Sequence, residues 1–177
     1  MARAAPYVPQ ASPEQPITAA LWNQYQYAVG FHSHPPTALL TQNTLQSVPS
    51  ASATRILFDN AIRDSDAGHS ITTNPSRYTA PIPGLYHICV FGSLEGGSAG
   101  GGERSLAIVL NGGAYWVLHL LAPSSYGAGS FVGSAQVEIP MNIGDYVEAS
   151  FYQDSGTTLS TSISYYQARM GIRWVGN

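Results

Sequence analysis

The chain bends and then extends within the segment Tyr78-Thr79-Ala80-Pro81-Ile82-Pro83-Gly84-Leu85-Tyr86-His87-Ile88. Proline cannot donate a hydrogen bond to a β-ladder, so Pro81 to Gly84 cannot belong to a central strand and is typical of a bend. The apolar run from Gly84 to Gly92 that follows has the residue types of a β-strand. A bend that feeds a strand therefore lies near the middle of the sequence.

Further short strands are predicted on both sides of this segment. From Thr54 onward, apolar or alternating runs are separated by Gly, Pro, Asn and Asp, and Asn111-Gly112-Gly113 is a tight hairpin signal. The predicted strands are Arg55 to Ala61, Arg77 to Thr79, Gly84 to Gly92, Ser105 to Asn111, Ala114 to Leu121, Phe131 to Ile139, Tyr146 to Tyr152, and Thr161 to Val175 in one or two pieces. We predict an all-β, antiparallel jelly-roll sandwich over residues 53–177.

Composition agrees with this fold and excludes several functions. Of the 177 residues only 10% are charged, against about 25% in typical soluble domains, whereas Gly (18), Pro (12) and Tyr (11) are frequent. All seven basic residues are Arg and the net charge is −3, so no electropositive footprint for nucleic acid is expected. No run reaches the ~18 apolar residues of a membrane span, and none resembles a signal peptide near Met1, so we expect no membrane insertion and synthesis in a cytoplasm.

Residues 1–52 are predicted to form an attachment segment rather than part of the sandwich. Met1 to Pro16 carries four prolines, which favours an extended arm. A short helix is predicted from Ile17 to Val29, with Gly30 as its stop and Leu21, Tyr25 and Ala28 on one face. Because this segment is too small to build a core, we expect the helix to pack on another protein, through the attachment residues Pro16, Ile17, Leu21, Trp22 and Tyr25.

The segment quoted first also resembles the aromatic-x-Ala-Pro-x-Pro-Gly-x-Tyr motif of the complement and tumour-necrosis-factor-type jelly roll. Phe58-Asp59-Asn60 is similar to the first strand of that family, and Ser130 to Ile139 followed by Ile143 to Val147 is similar to its paired late strands. The resemblance covers residues 54–175 and implies a ten-stranded sandwich that forms a tight homotrimer. We place Tyr86, Phe151 and Tyr152 at the expected trimer contact.

The N-terminal third differs from the secreted members of that family, which carry collagen-like stalks or disulfides that this chain lacks. Instead, Pro16 to Gln24 resembles a short helix that precedes such jelly rolls in structural proteins of tailed bacteriophages. This resemblance implies a trimeric decoration or appendage protein on the capsid or tail exterior, located in the virion and anchored to other virion proteins by its arm. The alternatives are a receptor- or glycan-binding tail-fibre head and a secreted complement-like binding module.

No catalytic residues are predicted, and the chain is not expected to be an enzyme. Ser130 and Ser134 accompany Gly129 and Gly133 in a predicted strand, where small residues permit close packing and no Gly-x-Ser-x-Gly elbow occurs. The acidic pair Asp64 and Asp66 lacks the other ligands of a calcium loop, so a solvated turn is expected. The glycine-rich run at 96–102 precedes a strand instead of a helix, which favours a surface loop over a phosphate cradle. The lone Cys89 is expected to be buried and inert.

One pair of histidines and one group of aromatic residues each allow two interpretations. His32 and His34 would project to one side of an extended segment, and three copies around a threefold axis would offer six nitrogens to a transition metal; the alternative is two exposed linker histidines. No other cofactor is expected. Several aromatics could form a carbohydrate-stacking patch or fill the core and trimer contact, namely Tyr86, Phe91, Tyr115, Trp116, Phe151, Tyr165, Tyr166 and Trp174.

Overall fold

One α-helix and twelve β-strands make up the described part of the chain in a computed structural model, which comprises residues 4, 6–8, 10, 12, 14, 16–95, 102–121 and 131–176. In chain order these elements are α1 (Ala19–Ser33), β1 (Thr37–Thr41), β2 (Ser47–Val48), β3 (Thr54–Arg55), β4 (Asn60–Asp64), β5 (Arg77–Thr79), β6 (Gly84–Leu94), β7 (Arg104–Leu110), β8 (Ala114–Leu121), β9 (Phe131–Met141), β10 (Tyr146–Gln153), β11 (Leu159–Ser160) and β12 (Arg169–Gly176).

The strands form two antiparallel sheets that pack face to face. We call the first the front sheet; its strand order is β4-β1-β12-β6-β9. The second, the back sheet, has the order β3-β10-β7-β8, and β5 also pairs with β10. A further short pair joins β11 to β2. The predicted all-β antiparallel sandwich is thereby confirmed.

The core lies between the two sheets and follows the alternation of side chains along each strand. In β6, Tyr86, Ile88 and Val90 point inward and are buried, and in β10 Val147 and Phe151 do the same. The aromatic rings of Phe131 and Phe151 meet edge to face across the core, with centroids 6.3 Å apart. Burial of this apolar surface is the main stabilising contribution to the sandwich.

The bend before β6 is formed as predicted. Residues 80–83 lie outside the strands, and β6 begins at Gly84, whose φ of 142° is open to glycine but strained for other residues. The indole Nε1 of Trp174 donates to the Pro83 carbonyl at 3.1 Å, and a Cβ on Gly84 would lie 2.2 Å from that nitrogen. Glycine is therefore required here because the Trp174 ring closes against the backbone.

The sandwich begins earlier than the predicted boundary between residues 52 and 53. β1 lies between β4 and β12 in the front sheet, and its Ala38 and Leu40 belong to the hydrophobic core. The strand predicted from Arg55 to Ala61 is divided into β3 and β4, since Ile56 and Phe58 enter the core outside any strand. Neither β1 nor β2 was among the predicted strands.

The helix is also shifted relative to its prediction. It begins at Ala19, where the Thr18 hydroxyl caps it by accepting a hydrogen bond from Leu21 N at 3.2 Å. It continues through Gly30, the predicted stop, to Ser33. Pro35 ends it instead, because proline disfavours helical geometry in the residue before it. Within the described residues, no helix is long and apolar enough to cross a membrane.

Candidate interaction surfaces

The outward side of the front sheet, here called the front face, is arranged in rows set by the strand register. The middle row runs across the sheet from β4 to β9 and consists of Arg63, Leu39, Gly171, Cys89 and Gln136. Cross-strand partners in an antiparallel sheet point to the same side, so these five residues form one strip. The strip has charge at one end, an amide at the other and small or apolar residues between them.

Two further rows flank the middle one. On one side lie Thr37, Arg173, His87 and Glu138; on the other lie Thr41, Arg169, Phe91 and Ser134. Both Arg169 and Arg173 are exposed. The front face therefore carries three exposed arginines, counting Arg63, around a less polar centre.

The centre of the front face is concave. A cavity of about 520 Å³ opens over Cys89 and Gly171, the two smallest residues of the middle row. The Cys89 thiol lies 3.6 Å from the Gly171 carbonyl oxygen, and a Cβ on Gly171 would lie 2.8 Å from the sulfur. Cys89 is exposed, so the prediction of a buried thiol was wrong: it alternates with the inward-facing Ile88 and Val90.

Apolar side chains border this concavity. Leu39, which lines it, is 36% exposed. Phe91 packs against the half-exposed Tyr166, with ring centroids 6.4 Å apart. An open apolar patch with small residues at its centre and charged residues at its rim has the composition of a protein–protein interface.

The back sheet carries its main polar cluster on the side opposite the core residues Val147 and Phe151, where the partners of the cluster bury it. Glu148 in β10 is almost completely buried and accepts hydrogen bonds from Ser76 Oγ at 2.6 Å, Arg55 Nε at 3.1 Å and Arg77 Nε at 3.3 Å. The Arg77 guanidinium also lies 4.0 Å from the centre of the Tyr146 ring. The cluster ties β3 and β5 to β10, which indicates a structural role.

Two of the three residues predicted at the trimer contact are buried inside the chain itself, so their predicted placement was wrong. Tyr86 and Phe151 are 0% exposed, because both face the other sheet and fill the core; neither has surface left for another chain. Burial raises the pKa of Tyr86 to about 12, although its hydroxyl donates to the Ile82 carbonyl at 2.8 Å. Tyr152 points away from Phe151 and is half-buried.

The five attachment residues separate into two groups. Leu21 is buried and Tyr25 is half-buried, so the apolar face of α1 is largely covered within this chain and not by a partner. Pro16 is exposed, and Ile17 and Trp22 are 75% and 55% exposed. The exposed apolar side of α1 is therefore different from the side that the helical spacing indicated.

The C-terminal end of α1 is fixed to the sandwich through aromatic contacts. Phe31 meets Trp174 of β12 edge to face at 5.2 Å, and the His32 ring lies 5.7 Å from Trp174. His32 is helical and His34 forms the C-cap, so the extended segment that the metal hypothesis required is absent. No group of three or more His, Cys, Asp or Glu suited to a metal ion occurs among the described residues.

The residues considered for catalysis or ion binding occupy structural positions where they are described. Asp64 accepts hydrogen bonds from the backbone of Gly68 at 3.1 Å and His69 at 2.9 Å, which shapes the turn after β4. Gly133 packs closely, since a Cβ there would lie 2.7 Å from the Phe131 ring. Ser130, Gly129, residues 96–101 and the side chains of Tyr115 and Trp116 lie outside the described residues.

The open side of the front sheet was not predicted, although the sequence contains a signal for it. In Arg169–Gly176, the residues Met170, Ile172 and Trp174 are buried and alternate with the outward-facing Arg169, Gly171 and Arg173. This period of two identifies a strand with one open side. Placing Leu39 and Arg63 beside it required the strand order, which the sequence does not specify.

Comparisons with known proteins identify the fold. No protein-family model and no curated protein sequence matches the chain. Among solved structures it is similar to the globular domain of zebrafish complement 1qA protein, at 15% identity and a TM-score of 0.54, covering 80% of this chain and 99% of that chain. It is also similar to murine APRIL at pH 8.0, at 9% identity and a TM-score of 0.58, covering 79% of this chain and 98% of that chain. These similarities confirm a jelly roll of the complement and tumour-necrosis-factor type.

Proposed function

We propose that this chain is a non-catalytic binding and assembly module that forms a homotrimer through its front face. The observation that carries the proposal is the open concavity over Cys89 and Gly171, bordered by Leu39, Phe91 and Tyr166. Small residues at the centre let another chain approach closely, and the apolar border gives that approach a hydrophobic driving force. The resemblance to the complement and tumour-necrosis-factor-type jelly roll supports three copies as the assembly.

The mass of the purified chain in solution tests this proposal. Sedimentation equilibrium should give three times the chain mass of 18.8 kDa. Leu39→Arg places a charge on the border of the concavity and should yield monomers that remain folded, since Leu39 points away from the core. Ile143→Arg is the matched control, because Ile143 is exposed in the turn between β9 and β10, and it should remain trimeric. A monomeric wild-type chain would contradict the proposal.

We further propose that α1 attaches the trimer to a larger assembly, the virion of a tailed bacteriophage, on its capsid or tail exterior. Two observations support this step. Trp22 and Val29 are exposed on a helix whose Leu21, Ala28 and Phe31 are already buried, and Ile17 is exposed just before it, so these three residues are available to a partner. The segment Pro16 to Gln24 resembles the helix that precedes jelly rolls in phage structural proteins.

Composition of purified particles tests the attachment. Mass spectrometry of the particles should detect this chain in a copy number divisible by three. Trp22→Ala should leave a folded trimer that no longer joins particles, whereas Ile71→Ala, which removes an exposed side chain between β4 and β5, should join them normally. Particles that lack the wild-type chain would exclude the virion role and leave the trimeric binding module intact.

A further inference from the structure

A shallow basic pocket lies at one edge of the front face, where the end of α1 meets β1. Its lining residues are Ser33, His34, Pro35, Thr37, Arg63 and Arg173. Arg63 on β4 pairs with Leu39 and Arg173 on β12 pairs with Thr37, so the two arginines approach from opposite neighbours of β1. Four separate elements, α1, β1, β4 and β12, thus place two guanidinium groups, an imidazole and two hydroxyls around one small opening.

Neither arginine of this pocket has an ion pair within the part of the chain that the structure describes. Other arginines do have partners: Arg55 and Arg77 both pair with Glu148. The nearest acidic residues along β4 and its turn are engaged elsewhere, since Asp64 accepts from the backbone of Gly68 and His69 and Asp66 accepts from Ser65 Oγ at 2.6 Å. Two unneutralised positive charges therefore remain together in a chain whose net charge is −3.

A second observation concerns the Thr37 hydroxyl. Its Oγ1 is buried and has no hydrogen-bond partner among the described residues. Buried hydroxyls are normally satisfied, because leaving one without a partner costs about 1–3 kcal/mol. Thr37 lines the same pocket as the two arginines, so a polar ligand bound there would be held beside groups that lack partners.

We infer that this pocket binds a tetrahedral oxyanion, the phosphate or sulfate group of a small ligand. The planar guanidinium fork matches the spacing of the oxygens in such a group and can donate two hydrogen bonds to it. The cavity volume of about 270 Å³ falls below the ~300–1,000 Å³ of sites that enclose drug-sized ligands, which fits an anionic group better than a whole ligand. The pocket is open to solvent, so the rest of such a ligand can remain outside it.

Calorimetric titration of the full chain with inorganic phosphate and with sulfate, at low ionic strength, tests the site. Saturable binding with one anion per chain is expected. Arg63→Gln and Arg173→Gln should each weaken it by roughly tenfold or more, because each removes a charged donor. Arg169→Gln is the matched control: this arginine is exposed on the same sheet and belongs to the central concavity instead, so its loss should change binding by less than about twofold.

A second pair of titrations identifies the source of the anion. Glucose 6-phosphate and a sulfated monosaccharide should bind more tightly than the free ions if the group is carried on a sugar; equal affinities would assign the site to the free anion. Non-saturable binding, or equal weakening by Arg169→Gln and Arg63→Gln, would overturn the inference. Binding needs only one copy of the chain, so the mass measured in the same samples separates this result from the trimer.

Discussion

Glu148 illustrates at the scale of one residue how this fold tolerates a buried charge. Its carboxylate receives donors from Ser76, Arg55 and Arg77, so both oxygens are engaged although the side chain is only 5% exposed. A buried carboxylate is tolerated when it is paired and fully hydrogen-bonded. Removing it would leave two arginines without their partner between β3, β5 and β10.

Glu148→Ala should therefore lower the free energy of unfolding by about 2–3 kcal/mol. The arginines are partly exposed, which keeps the expected loss below that of a completely buried pair. Urea denaturation measures the change. Glu103→Ala, at an exposed position just before β7 of the back sheet, is the control and should change stability by less than about 0.5 kcal/mol. Equal effects of the two substitutions would show that the cluster contributes nothing beyond a surface charge.

Asp145 makes the free energy of unfolding depend on pH in the acid range. Hydrogen bonds from the Asn142 backbone at 2.7 Å and the Asn111 side chain at 2.9 Å hold the pKa of Asp145 below its ordinary value. A carboxyl whose pKa is lowered by folding stabilises the native state above its unfolded pKa of about 3.9, and this contribution is lost as the pH falls through the folded pKa.

Asp145→Asn should thus have its full destabilising effect at neutral pH and a smaller one in acid. Urea denaturation of both proteins at about pH 7, 4 and 3 measures this, and the stability difference should shrink toward the lowest pH. Burial raises the pKa of Asp59, but hydrogen bonds to its carboxylate lower the pKa by more. The stability of the Asp145→Asn variant should therefore still fall somewhat in acid. A difference that is constant with pH would contradict the assignment.

The role of a single residue could be predicted from the sequence only where local turn chemistry determined it. The bend at Pro81 and Pro83 could be predicted, because turn chemistry is local, whereas the need for Gly84 depends on the distant Trp174 ring. The burial of Tyr86 and Phe151 and the exposure of Cys89 could not be predicted, since the inner side of a strand depends on which sheet covers it.

At the scale of elements, α1 is held by its last turn. Phe31 is buried against Trp174, the residue whose indole also closes the bend at Pro83. The helix end, the last strand and the bend before β6 thus share one aromatic side chain. This tertiary contact also explains why α1 continues through Gly30, since a glycine in a helix costs only about 1 kcal/mol relative to alanine.

Phe31→Ala should release α1 from the sandwich and lower the free energy of unfolding by about 3 kcal/mol, the usual cost of truncating a buried phenylalanine. Limited proteolysis should then cut within Ala19–Ser33 faster than in the wild-type chain. Trp22→Ala, on the exposed side of the same helix, is the control and should leave both stability and cleavage unchanged. Slow cleavage of the Phe31 variant would show that other contacts hold the helix.

Element type was more predictable than element boundaries. The hairpin between β7 and β8 follows from Asn111-Gly112-Gly113, whereas β9 continues two residues beyond its predicted end at Ile139, to Met141. The short β1 and β2 escaped prediction because the strand pairing that stabilises them involves residues more than a hundred positions away. Such non-local pairing leaves little trace in a local pattern.

In the whole molecule, the outer sides of the two sheets differ in their chemistry. The back sheet pairs its charges around Glu148, whereas the front face carries a concavity, an apolar border and, in the described part of the chain, two arginines without an ion pair. The family-type jelly roll was predictable from its ordered motifs, because these encode turns and strand spacing. Its interacting residues were not, since they depend on the order of strands in the front sheet.

The rate at which Cys89 reacts with a thiol reagent shows whether other copies of the chain cover the front face. Cys89 is the only cysteine and lies exposed at the centre of the concavity. In the native protein the thiol should react at least about tenfold more slowly than in the Leu39→Arg variant, because the neighbouring copies exclude the reagent. Equal, rapid labelling of both proteins would contradict the claim, since it would show that the front face is open to solvent.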